Sequence, residues 1–208
     1  MTKPPIVHPA RRIAPSIVLL ALLAAGCGIR VDELATQLNE PRPRPRVDAA
    51  IRLRAYRHDD ATRRRIVREL TTAYRGATHP EVKIAVLRSL CACRAFGPSV
   101  VEMLLEEVEG ESDASVRSEI VSVLARSTES RVGPVLAKLC RHDPEPVVRA
   151  TAAAGLGRID PEGFGRVLMA AAADESPRVR RAARRSLDGA GIAAQPTSPS
   201  PVSESSSR

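Results

Sequence analysis

The sequence predicts an all-α fold, a short α-solenoid of helical hairpins, and three observations support this prediction. A line that starts with Val and a basic residue occurs four times, with an apolar residue four positions later and Leu eight positions later. A second apolar stripe with helical spacing lies between successive lines. Aromatic residues make up only 2% of the 208 residues, so the core is aliphatic and suits close helix packing. Because residues i, i+4 and i+8 share one side of a helix, each line predicts one amphipathic helix.

The recurring line has a period in the thirties, since its anchor valines are separated by 34, 32 and 31 residues. The repeat positions that we predict to be buried are Val82, Leu90, Val116, Leu124, Val148, Leu156, Val179 and Leu187. The basic residues that follow the anchors are Lys83, Arg117, Arg149 and Arg180, with acidic residues of the neighbouring lines nearby. We expect these four basic residues to form a charge ladder between repeats, and the alternative is a clamp for a ligand.

The helices between the lines complete the hairpins. In the first of them, Val101, Leu104, Leu105 and Val108 form the apolar stripe. The step from Leu90 to Val101 is 11 residues, whereas the later equivalents are 8, so the stretch "CRAFGPS" contains a longer turn. A single hairpin cannot bury its apolar face alone, which is why such hairpins stack into an array.

The stretch "DPEPVVRATAAAGLG" at residues 143–157 resembles the repeated line of short bacterial HEAT-like repeats, a type also found in phycobilisome lyase subunits. The resemblance extends over roughly residues 60–189, although the lines that start at 112 and 174 lack the Gly. It implies a non-catalytic scaffold or adaptor for protein–protein interaction. The alternative is a lyase-type or maturation accessory protein that handles a chromophore or a client enzyme.

Residues 1–26 have the layout of a secretory signal, with a basic start, an apolar run from Ile17 to Ala25 and small residues before Cys27. The ending "LLAAGC" resembles the lipobox of bacterial lipoproteins. This resemblance implies that Cys27 is acylated and that the protein is exported and lipid-anchored to the cell envelope. The alternatives are an ordinary signal peptide cut near Ala25 and an uncleaved anchor. The nine apolar residues are too few for a membrane-spanning helix, which needs about 20.

Three further segments follow the signal. Residues 27–46 are predicted to be a tether, in which the alternating Pro and Arg from Pro41 to Arg46 favour an extended spacer. Residues 47–189 are the repeat domain, and we expect "DDATRRRIVRELTTAYRG" and "SPRVRRAARRSL" to be its capping helices. Residues 190–208 are rich in Ser and Pro and too poor in apolar residues to fold, which predicts disorder.

The titratable residues predict no catalytic set, no metal site and no cofactor. His58, His79 and His142 fall in predicted turns and have no second ligand at helical spacing. Cys91 and Cys93 point to different sides of a helix, which does not suit zinc binding. We expect buried thiols at these positions and at Cys140, and a disulfide of Cys91 or Cys93 with Cys140 is the alternative.

The charge pattern favours a protein partner. The formal net charge is +8, but acidic residues interrupt the array and aromatic side chains for base stacking are scarce, so we expect no nucleic acid partner. No small-molecule substrate is evident. The expected partners are an unidentified protein and, through Cys27, a membrane. We expect the protein contacts to come from arginines and from the acidic patch Glu102–Asp113.

Overall fold

The computed structural model describes residues 31–54 and 59–192, which form ten helices and no strand. The all-α prediction is confirmed. Helix α1 covers residues 31–38. The others are α2 (Pro43–Arg54), α3 (Asp60–Arg75), α4 (Pro80–Ala92), α5 (Pro98–Gly110), α6 (Ala114–Leu124), α7 (Val132–His142), α8 (Pro146–Ile159), α9 (Gly165–Ala171) and α10 (Pro177–Gly189).

The helices α2 to α10 form two layers. The even-numbered helices pack side by side in one layer, each against the next. In the other layer, each of α3, α5, α7 and α9 packs against the even-numbered helix that follows it. The four recurring lines are α4, α6, α8 and α10, and their eight predicted repeat positions are at most 1% exposed. This is the stacking of a solenoid, in which each hairpin covers the apolar face of its neighbour.

The array begins earlier than the sequence predicts. Helix α2 is a fifth member of the even-numbered layer, and its Ala49 and Leu53 are fully buried. They follow Pro45 by four and eight residues, so Pro45 stands where the other lines have Val, 37 residues before Val82. The extended spacer predicted over 41–46 is therefore wrong. A Pro fits the first turn of a helix, where the backbone N–H groups have no helical acceptor.

Both predicted appendages contribute to the fold where the structure describes them. Three apolar side chains of α1 are at most 2% exposed, namely those of Val31, Leu34 and Leu38, so this part of the predicted tether is folded. At the other end, Ile192 N–H donates to the Leu187 carbonyl at 3.0 Å, following Gly191 with φ 69°. This is a Schellman-type helix end, which carries the fold past the predicted boundary at 189.

The two predicted capping helices occupy different places. Helix α3 carries the first arginine-rich segment, but α1 and α2 precede it and α2 packs on α4. The prediction of a capping role is therefore wrong for α3. Helix α10 is the last helix of the described residues, and its Arg181, Arg184 and Arg185 are exposed.

Two glycines of α8 let neighbouring helices approach closely. A Cβ on Gly157 would collide with the Ser186 side chain of α10 and lie 3.1 Å from its Cα. A Cβ on Gly155 would lie 2.7 Å from Leu136 Cδ2 and 2.9 Å from Ala125 Cβ. Gly costs a helix interior about 1 kcal/mol relative to Ala, so close packing explains both residues.

Candidate functional site

The basic residues that follow the first three anchor valines contact the next repeat, and Arg117 shows the arrangement. Its Nε and Nη2 donate to the two carboxylate oxygens of Asp143, each at 3.0 Å. Its Nη1 donates to the carbonyls of Glu111 and Ser112 at 3.1 and 2.8 Å. One guanidinium therefore fixes the loop before its own helix and the loop before the next helix of the layer.

Arg149 and Lys83 follow the same rule, in which the partner acid lies five residues before the next anchor. Arg149 Nε and Nη2 donate to the Asp174 carboxylate at 2.9 and 3.0 Å. Lys83 Nζ donates to Glu111 Oε2 at 2.6 Å. Arg180 is the last member and has no following repeat among the described residues. We call this set of residues the charge ladder.

Arg46 is an additional ladder residue that was not predicted from the sequence. It directly follows Pro45, the anchor position of α2, and is buried. The position five residues before the next anchor is Ala77, which has no carboxylate to offer. Arg46 instead donates to carbonyls, from Nε to Leu38 at 2.8 Å and from Nη2 to Ala73 at 3.0 Å. It thereby compensates backbone acceptors near the C-terminal ends of α1 and α3, where cations are favoured by the helix dipole.

The ladder contacts set the ionisation of its members. Burial alone would raise the pKa values of Glu111 and Asp174, but hydrogen bonds from Lys83 and Arg149 lower both pKa values overall. The hydrogen bond to Asp143 raises the pKa of Arg117, and the hydrogen bond to Asp174 raises the pKa of Arg149. The inner ladder residues are charged and paired with each other, so they serve the fold and leave little charge for a ligand.

Tyr74 lies beside the first ladder pair. Lys83 Nζ is 5.7 Å from the centroid of its ring, a cation–π distance. The Tyr74 hydroxyl is buried, and no described residue forms a hydrogen bond with it. Burial raises the pKa of this phenol, with the charges of Glu107 and Glu111 acting in the same direction, so the phenol stays neutral.

The acidic patch Glu102–Asp113 is largely compensated within the molecule. Glu107 and Glu111 approach Lys83, Glu109 approaches Lys138 at 2.7 Å, and Glu102 approaches Arg131 at 3.7 Å. Asp113 accepts the N–H groups of Ser115 and Val116 at the start of α6. These contacts weaken the case for the acidic patch as a docking surface.

A groove along α3 carries much of the uncompensated positive charge, and we call it the basic groove. Its volume is about 720 Å³, within the range of about 300–1,000 Å³ typical of ligand clefts. Side chains of α3 form one wall, and residues 93–100, which include the start of α5, form the other. Five arginines contribute to the lining, namely Arg63, Arg64, Arg68, Arg75 and Arg94.

Few carboxylates compensate these arginines. Arg63 pairs with Asp60 at 2.9 Å. Within the described part of the chain, no carboxylate lies within the 4.0 Å ion-pair distance of the guanidinium groups of the other four. Arg64, Arg68 and Arg75 are spaced by four and seven residues, so they project from the same side of α3. The lining also includes apolar contributions from Val67 and Val100.

The longer turn after Leu90 supplies the second wall of the basic groove. Ala95 N–H donates to the Leu90 carbonyl at 3.0 Å and Arg94 N–H to the Cys91 carbonyl at 3.1 Å, which is the Schellman pattern. Arg94 occupies the position where Gly is usual and has φ 52°. A left-handed conformation strains a residue with a side chain, and such strain is commonly found at functional sites.

Comparison with protein families supports this architecture. The family model of HEAT repeats matches residues 67–157 and 134–201. The chain belongs to the HEAT repeat family. HEAT repeat arrays are helical scaffolds for protein interaction, and the two matches together include α4 to α10. No curated protein matches the chain.

The HEAT repeat array separates the cysteines and histidines that the sequence offers. Cys140 is buried in α7, and burial raises its pKa to about 11. Cys91 and Cys93 are half-buried, and all three thiols are free. Burial raises the pKa of Cys93 against the opposing charge of Arg63. His79 precedes α4 and His142 ends α7.

Several predicted sites lie beyond the described residues. Cys27, the signal segment 1–26, His58 and the tail from 193 onwards lie outside residues 31–54 and 59–192. Within those ranges, no three His, Cys, Asp or Glu side chains are placed to hold a metal ion. No described helix combines the length and apolar character that crossing a membrane requires.

Proposed function

We propose that this protein is an exported, lipid-anchored HEAT repeat scaffold whose basic groove binds an acidic segment of a partner protein. The observation that carries the proposal is the groove itself, with four arginines that lack a carboxylate among the described residues. The acidic patch, in contrast, is compensated by Lys83, Lys138 and Arg131.

The chemistry of the groove favours a peptide segment. Guanidinium groups form bidentate hydrogen bonds with carboxylates, which suits Asp and Glu side chains. Val67, Ala95 and Val100 add apolar lining that a segment with small aliphatic residues would cover. The lining contains no aromatic side chain on which a nucleic acid base would stack. We therefore expect an extended acidic stretch of protein.

The sequence between Cys27 and α1 supports a position close to the membrane. Val31, the first described residue of α1, is four residues after Cys27. Four residues span at most about 14 Å, because an extended chain advances about 3.5 Å per residue. Since α1 is packed into the array, acylation of Cys27 would hold the N-terminal repeats and the basic groove near the headgroups.

Binding of a defined acidic peptide tests the proposed use of the groove. We would measure the anisotropy of a fluorescent decaglutamate peptide with the parent protein and with Arg64→Glu/Arg68→Glu. The matched control is Arg158→Glu/Arg166→Glu, which makes the same change in net charge at exposed residues of α8 and α9. We expect at least about a tenfold loss of affinity for the groove variant, equivalent to about 1.4 kcal/mol. Equal losses in both variants would show general charge attraction and refute the groove.

Lipid attachment is tested separately. In a bacterial host supplied with radiolabelled palmitate, the parent chain should become labelled and sediment with membranes. Cys27→Ala should be neither labelled nor cut before residue 27. Labelling that persists in Cys27→Ala would refute the assignment of this residue, and an unlabelled parent chain would refute the lipid anchor.

A further inference from the structure

The last residue of the charge ladder has an incomplete set of contacts. Arg180 Nη1 donates to the carbonyls of Asp174 and Glu175, both at 2.8 Å. In Arg149, Nη1 makes the equivalent two contacts, to the carbonyls of Asp143 and Pro144. In Arg149, however, Nε and Nη2 also hold a carboxylate of the next repeat. Among the described residues, no carboxylate contacts Nε or Nη2 of Arg180.

The guanidinium of Arg180 is held in the orientation that receives a carboxylate. The Nη1 contacts fix Arg117, Arg149 and Arg180 to the loop before their own helices in the same way. At the two inner positions, the Nε–Nη2 edge then meets both oxygens of one aspartate at 2.9 to 3.0 Å. Much of the ordering of the Arg180 side chain is therefore already complete before a ligand arrives, which favours binding.

The surroundings of Arg180 exclude another stacked repeat as its partner. Where α8 has the buried Ala150 and Ala153, α10 has the exposed Arg181 and Arg184 at the equivalent positions, two and five residues after the anchor. A further helix would meet cationic side chains instead of an apolar face. An acidic loop, in contrast, would be attracted by all three arginines.

The inner ladder positions also show which backbone conformation an aspartate has when it pairs with the arginine. Asp143 Oδ1 accepts the N–H of Glu145 at 2.9 Å, and Asp174 Oδ1 accepts the N–H of Ser176 at 2.8 Å. Each aspartate thus closes a turn of its own backbone while it pairs with arginine. We propose that the Nε–Nη2 edge of Arg180 is a carboxylate-binding site for an aspartate in such a turn, presented by a partner protein. This site is independent of the basic groove.

The chain itself supplies a suitable probe, the peptide of residues 143–150, DPEPVVRA. We would follow the arginine Nε–Hε resonances of the ¹⁵N-labelled full chain by NMR. The Arg180 resonance is assigned as the one that disappears in Arg180→Gln. We expect the Arg180 resonance to shift on titration, with at least about tenfold weaker binding of the peptide that has Asn in place of its first Asp. Arg64→Glu/Arg68→Glu should leave this titration unchanged.

Several outcomes would overturn the inference. Equal binding of the Asp and Asn peptides would show that the carboxylate is not recognised. Shifts of Arg181 and Arg184 without a shift of Arg180 would indicate general attraction to the arginines of α10. A change of the Arg180 resonance in the peptide-free Glu204→Gln variant would assign the edge to the chain's own tail instead of a partner.

Discussion

The buried pair Arg117–Asp143 provides a quantitative test of the charge ladder. The two side chains are only 11% and 3% exposed, and two parallel hydrogen bonds of 3.0 Å join them. Removal of one partner leaves the other charge buried without its counter-charge, which typically costs about 3–5 kcal/mol. We therefore expect Arg117→Met and Asp143→Leu each to destabilise the protein by about this amount. The double variant should be no less stable than either single variant, because two apolar side chains can replace a buried pair.

Urea denaturation followed by circular dichroism measures the free energies of unfolding for this cycle. The control is the exposed pair Lys138–Glu109, whose side chains are 64% and 57% exposed at a similar separation of 2.7 Å. Lys138→Met should change stability much less than Arg117→Met, because solvent screens exposed pairs. Additive losses in the Arg117/Asp143 cycle, with a coupling below about 0.5 kcal/mol, would refute the idea that this pair joins the repeats.

Four further predictions concern the stability of the fold. Leu156→Ala should destabilise by about 2–5 kcal/mol, and a loss below about 1 kcal/mol would remove Leu156 from the core. Gly157→Ala should destabilise by about 1–3 kcal/mol despite the higher helix propensity of Ala, because the added Cβ meets α10, and a gain in stability would contradict this packing. Tyr74→Phe should be neutral or stabilise by about 1 kcal/mol, because it removes a buried hydroxyl without a described partner, whereas a clear loss would reveal a partner. Glu111 and Asp174 have lowered pKa values, so below about pH 4 the unfolded chain binds more protons and stability should fall; a urea midpoint that is equal at pH 7 and pH 3 would contradict this.

The fold was predictable from the sequence because a solenoid repeats one local pattern. Helical periodicity and a repeat of 31 to 34 residues identified α4 to α10 without knowledge of distant contacts. Helix α2 was not predicted because Pro45 replaces the anchor Val, although Ala49 and Leu53 keep the buried face. A search for apolar residues four and eight positions after the anchor position, with any residue allowed at that position, would have found α2.

The candidate site was less predictable because it depends on which charged side chains remain unpaired after folding. The sequence shows both the acidic patch and the arginines, but not which charges are paired. Lys83 reaches Glu111 across 28 residues, and such pairings follow only from the stacking of repeats. The local signals for the basic groove were the arginine-rich segment of α3 and the longer turn after Leu90, which places Arg94 opposite α3.

Site-specific photocrosslinking in the native host tests the proposed use of the groove most directly. A photoreactive amino acid at Thr72, an exposed residue of the groove lining, is compared with the same residue at the exposed Thr128 between α6 and α7. We predict a discrete adduct at Thr72 whose crosslinked peptide is acidic, and the loss of this adduct in Arg64→Glu/Arg68→Glu. The absence of a Thr72 adduct, or the same adduct from Thr128, would contradict a scaffold that holds its partner in the basic groove.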